Sequence, residues 1–197
     1  MAVKYGSTLA DQGKEYVAQN VDRWFSISLL KHYFAVDTTY VAKKLLIILF
    51  PFVNRDWSIK YSGAEAVPPK LDVNAPDMYI PVMAFVTYLL MVGISLGTQK
   101  RFTPELLGLQ ASSALGWLFI EVLIIFISLQ VLNIRSLKTF DIISFCGYKY
   151  FGMILSLLAN LVVSDDCYYF VLIYMCVSLT YFMVNFFYFF FLNYYLR

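Results

Sequence analysis

The sequence predicts an all-α, polytopic helical membrane protein with about four transmembrane helices, preceded by an N-terminal region of amphipathic and interfacial helices. Composition is the first of three observations behind this. Of 197 residues, 60% are hydrophobic and 14% charged, where soluble domains carry roughly a quarter. Mean hydropathy is +0.67, which is more apolar content than a water-exposed domain of this length can bury. Finally, the uncharged runs after residue 77 reach the ~20 residues needed to cross a hydrocarbon core about 30 Å thick.

Residues 1–77 are read as a cytosolic region. Leu9, Gly13, Tyr16, Val17, Val21 and Trp24 recur at helical spacing after a Ser7 cap and predict an amphipathic helix. A second helix is expected from an Asp37 N-cap through Thr38 to Lys44, apolar from Leu45 to Phe50 and disrupted by Pro51. Leu45–Phe52 is too short to span. Behind Lys43 and Lys44 it reads as an interfacial segment with both ammonium groups toward anionic headgroups; a short core helix of a small cytosolic domain is the alternative. Tyr61 to Asp72, with Gly63, Pro68 and Pro69, is the linker onward.

Residues 78–197 are read as a transmembrane bundle with spans at about 79–98, 111–132, 142–163 and 168–188. The first opens near Asp77 and Pro81. The second lies between Lys100, Arg101 and Glu105 before it and Arg135 and Lys138 after it, and is interrupted only by Glu121. The third needs Lys149 in its first two turns, snorkelling to the interface, and ends at Asp165 and Asp166. From Cys167 to Leu196 no residue is charged, too long for one untilted span and too short for two, so one span with an aromatic tail is expected. Lysines and arginines set the orientation: nine precede the first span, and Arg135, Lys138, Lys149 and Arg197 join them, against Lys100 and Arg101 on the other face. The positive-inside rule then places the N-terminus in the cytosol. Lys4, Asp11, Lys14 and Glu15 break any early apolar run, so the first span is expected to serve as the insertion signal.

Glu121 is the most informative polar residue, because a carboxylate inside a span must be protonated or paired. A contact within or between chains is the reading for it, with a proton or ion relay as the functional alternative. Gly93 and Gly97 form a GxxxG pair, and Ser112 with Gly116 repeats the small-xxx-small spacing that lets helix backbones approach. These four positions and Glu121 are the candidate packing and partner-contact residues, while Lys43, Lys44 and Lys149 are the candidate membrane-interface residues. Gly147 and Gly152 flank Tyr148, Lys149 and Tyr150, which read as interfacial anchors. Catalytic and metal sites are not expected, since His32 is the single histidine and no HExxH, CxxC or phosphate-binding loop occurs. No cofactor is expected either. Asp165–Asp166 reads as a span boundary, Cys146 as a plain buried thiol, and the net charge of +2 gives no footprint for nucleic acid.

Four stretches carry a family likeness: YFAVDTTYVAKKL from Tyr33 to Leu45, DVNAPDMYIPVMAFVTYLL from Asp72 to Leu90, LGTQKRFTPELLGLQASSALGW from Leu96 to Trp117, and GYKYFGMIL from Gly147 to Leu155. On these the chain closely resembles the Yip-interacting-factor (Yif or Hrf) family. That resemblance implies a multi-pass protein of endoplasmic reticulum and Golgi membranes with a cytosolic N-terminus. It also implies pairing with a Yip-type multispanning protein and work in vesicle traffic alongside Rab-type GTPases. The expected function is therefore a non-enzymatic adaptor in ER-to-Golgi transport. The alternatives are a small transporter or channel subunit using Glu121 and Lys149, and a curvature-shaping protein whose Lys43–Phe52 segment wedges into lipid. Two departures stand out. The family pattern has a longer Pro- and Gly-rich extension before the part that begins here at Met1, and a fifth span ending in the lumen; here Asn185 runs through aromatics to Arg197, so a cytosolic C-terminus is expected.

Overall fold

The computed structural model describes residues 27–54, 57, 61–62, 65–67, 69–131, 139–163 and 165–195; the helix expected around Leu9–Trp24 lies outside them. Helix α1 (Ile27–Tyr33) leads through a short turn, its Ala35 and Val36 amides bonded to the His32 and Phe34 carbonyls, into α2 (Thr38–Leu49). The Asp37 carboxylate accepts from the Thr38 amide at 2.8 Å, the cap that the sequence predicts. Pro51–Val53 makes one 3-10 turn, the strands β1 (Tyr61–Ser62) and β2 (Glu65–Ala66) pair antiparallel, and Pro69–Leu71 makes another 3-10 turn. This small hairpin has no counterpart in the sequence reading, which has a plain linker there.

Four long apolar stretches follow: α3 (Tyr79–Thr98), α4 (Pro104–Val131), the pair α5 (Thr139–Gly147) and α6 (Lys149–Val162), and α7 (Asp165–Tyr195). Tyr79–Thr98, Pro104–Val131, Thr139–Val162 and Asp166–Phe189 are each long and apolar enough to cross a membrane. Asp77, just before α3, accepts from the Ile80 amide at 2.8 Å and so satisfies one of its orphan N–H groups. The far end of α3 closes with Arg101 N–H on the Leu96 carbonyl and Lys100 N–H on that of Gly97, with Lys100 left-handed at φ 56°. This is a Schellman closure with lysine where glycine is usual.

The third span, expected at about 142–163, is Thr139–Val162 and consists of two helices, with the break at Tyr148. Tight Phe145–Tyr148 and Tyr148–Phe151 backbone bonds carry the chain across it. Beside it α3 approaches closely, since a Cβ on Gly147 would lie 2.5 Å from that of Pro81. More than half of the apolar stretch of Thr139–Val162 is buried, whereas in α4 Leu129 alone is buried. The broken span is therefore the centre of the bundle, and α4 lies outermost with Trp117, Phe119, Ile124 and Ile127 facing outward.

Three clusters hold these elements together. Ile48, Trp57, Phe145, Tyr148, Phe182 and Phe186 join α2 to α5 and α7. Ala84, Tyr88, Tyr150 and Ile154 join α3 to α6, and Leu129, Ile142 and Cys146 join α4 to α5.

Candidate functional site

Around the Tyr148 break the fold gathers a buried polar cluster. Asp77 has no exposed surface, and its second carboxylate oxygen accepts from the Tyr148 hydroxyl at 2.8 Å and the Tyr40 hydroxyl at 3.0 Å. Tyr40 also lies 2.9 Å from the Ala75 carbonyl. One turn further along α2, the Lys44 ammonium donates to the carbonyls of Val73 at 2.7 Å and Ala75 at 3.1 Å. It sits between the rings of Tyr148 and Phe182, 5.7 and 5.6 Å from their centroids. Burial pushes its pKa down to about 8, against the opposing pull of Asp77 and Asp72. Burial, then the Asp77 charge, holds the Tyr40 phenol well above its usual range.

The expectation for Lys44 is thereby corrected. It is 1% exposed and faces backbone carbonyls, whereas its neighbour Lys43 is exposed. The i, i+4 face of α2 formed by Tyr40, Lys44 and Ile48 is the buried one, and that spacing is the signal that separates the two lysines. Asp77 and Tyr40 are the residues that sequence reasoning missed as polar anchors.

Glu121 and Lys149 are brought together, the ammonium of α6 lying 2.5 Å from the carboxylate of α4. Two ionisable groups 28 positions apart thus neutralise each other between helices, which is how a span tolerates them. Lys149, expected to snorkel, pairs with α4 while 28% of its side chain stays exposed. The small residues diverge. Gly93 faces α4, with Leu107 and Phe102 at van der Waals distance from where its Cβ would stand, whereas Gly97 and Gly116 face open space. Ser112 is exposed and donates to the Leu109 carbonyl of its own helix. Close backbone approach occurs instead at Gly147 against Pro81 and at Gly152 against Met175, 3.1 Å from an added Cβ. Among the described residues no group of three or more His, Cys, Asp or Glu is arranged to hold a metal.

Comparison with known proteins fixes the family, because residues 1–194 match the family described as YIF1. The chain belongs to the YIF1 family. Protein YIF1B of Homo sapiens is 52% identical over 186 residues, covering 94% of this chain and 59% of that protein. Protein YIF1B-B of Xenopus laevis is 50% identical over 185 residues, covering 93% of this chain and 62% of that protein. In Schizosaccharomyces pombe, "Protein transport protein yif1" is 38% identical over 193 residues, covering 94% of this chain and 66% of that protein. The chain thus spans about three fifths of the length of its vertebrate YIF1 relatives. No solved structure matches.

Proposed function

We propose that this chain is a non-enzymatic membrane adaptor in ER-to-Golgi vesicle-mediated protein transport. In this reading it sits N-terminus-in, pairs laterally with a Yip-type multispanning protein, and presents Rab-type GTPases, directly or through that partner. The observation that carries the reading is the likeness of nearly all of this chain to part of the YIF1 proteins, one of which is named for protein transport. The small residues on α3 and α4 supply the lateral surface. Gly97, Ser112 and Gly116 face outward, where close backbone packing against another helix is the available source of affinity in lipid. The charges within the helices, by contrast, are met inside the chain, Glu121 by Lys149 and Lys44 by carbonyls, which suits a scaffold better than a conducting path.

Capture of the tagged chain from ER and Golgi membranes in mild detergent, with mass spectrometry of the eluate, tests this. A Yip-type protein should co-purify, and Gly97→Leu with Gly116→Leu should lose it while keeping the thermal midpoint of the chain. Recovery of no such protein with the unaltered, membrane-inserted chain would overturn the adaptor reading.

A further inference from the structure

We infer that α2 and the turn after it form a re-entrant hairpin that sinks into one leaflet of the bilayer, its Phe50–Val53 tip seated among phospholipid acyl chains. The depth follows from helical rise. At 1.5 Å per residue, α3 spans about 30 Å from Tyr79 to Thr98, and α7 climbs about 26 Å from Asp165 to Phe182. These two lengths describe one slab, because Asp77 at the head of α3 bonds Tyr148, whose ring meets Phe182 at 5.9 Å.

Against that scale α2 descends along α7 and the chain climbs back. Lys44 lies beside Phe182; Ile48 and Leu49 lie beside Ser178 and Tyr174; the Phe50 ring is 6.4 Å from that of Tyr174. The return brings Phe52 to 4.7 Å from Tyr181 and Trp57 to 5.5 Å from Phe182. Tyr174 is two turns below Phe182, so the tip lies roughly 12 Å below the level of Lys44, inside the apolar stretch Asp166–Phe189 of α7.

The C-terminus of α2 is finished as hydrocarbon requires. The Ser178 hydroxyl donates to the Ile48 carbonyl at 2.6 Å and lies 3.2 Å from that of Leu49, which also accepts from Tyr174 at 2.8 Å. A helix ending in water leaves such carbonyls to solvent; inside a bilayer each must find a protein donor. The outward face matches: Leu46, Phe50, Phe52 and Val53 are exposed, Val53 at 79%, and residues 45–54 carry no charge. Acyl chains are the occupant because Ile173 and Val177, exposed on α7 next to the Tyr174 and Ser178 that hold the end of α2, lie at the depth of that end and are as apolar as it is.

The test uses the full chain in phosphatidylcholine liposomes doped with a phospholipid bearing a diazirine at the far end of one acyl chain, and in a second preparation near the glycerol. Photolabelled residues are mapped by mass spectrometry. With the far-end probe, Phe50, the residue of the tip set against Tyr174, should be labelled within about twofold of Ile173 and Val177, which share its depth. Labelling of Phe50–Val53 by the glycerol-proximal probe alone would overturn the inference in favour of a surface-lying helix. Protection from both probes while Ile173 and Val177 are labelled would overturn it in favour of a protein-covered tip. Capture of a transport partner has no bearing on this map, so the two readings fail separately.

Discussion

Lys44 and Lys43 are chemically identical neighbours with opposite surroundings, and a proton count distinguishes them. In the folded chain Lys44 gives up its proton at about 8 rather than near its ordinary 10.5, so between those values the unfolded chain binds more protons and stability rises with pH. The detergent-solubilised protein should gain about 2 kcal/mol of stability between pH 7.5 and 9.5 from this group, and Lys44→Met should flatten that rise in a series of thermal melts. The window closes near pH 10, where unfolded tyrosines ionise while Tyr40, its pKa raised by burial and then by Asp77, keeps its proton, so stability falls again. An equal rise in Lys44→Met would show that the ammonium does not carry it. Lys100 offers a second residue-scale outcome. A left-handed φ of 56° costs an L-residue about 1 kcal/mol that glycine does not pay, so Lys100→Gly should raise the thermal midpoint. A lowered midpoint would mean that the lysine side chain has a stabilising contact outweighing the strain.

At the scale of elements, uncharged length made the spans legible: Tyr79–Thr98 coincides with the expected first span, and Asp37 caps α2 as its position before Thr38 suggests. The interruption of the third span was not legible. Gly147 resembles any small residue in an apolar run, and only the arrival of Pro81 from a helix 66 positions earlier makes a Cβ there intolerable. Likewise GxxxG spacing points to Gly93 and Gly97, yet spacing cannot say which helix face meets a neighbour, and the tightest contacts formed at Gly147 and Gly152. Glu121 and Lys149 could each be singled out as charges within spans, but their pairing depends on how α4 lies against α6. Removing one partner leaves an uncompensated charge, whereas removing both leaves an apolar contact. Glu121→Leu and Lys149→Leu should therefore each lower stability by about 1–3 kcal/mol, and the double variant should recover most of the loss. Simple addition of the two losses in thermal melts would show that the pair does not interact energetically.

For the molecule as a whole, the distribution of apolar volume across the slab is the property that the re-entrant hairpin changes. Four spanning helices displace lipid in both leaflets, whereas a hairpin ending near Tyr174 displaces it in one. Added volume on one side favours a bilayer bent convex toward that side, and shallow apolar insertions act on curved membranes in this way. The chain should therefore concentrate by about twofold on membrane tubes pulled from giant vesicles, relative to the flat parent bilayer, when the α2 side faces outward. Replacing Phe50, Phe52 and Val53 together by serine removes the apolar tip while leaving the Ser178 and Tyr174 contacts to the α2 carbonyls in place, and should bring the tube-to-vesicle ratio back toward one. Density is read from a fluorophore on the chain against a lipid dye, so loss of insertion registers separately as loss of signal from the parent vesicle. Equal densities of the unaltered chain on tube and vesicle would mean that the hairpin's volume is compensated elsewhere in the bundle and that curvature does not select this protein.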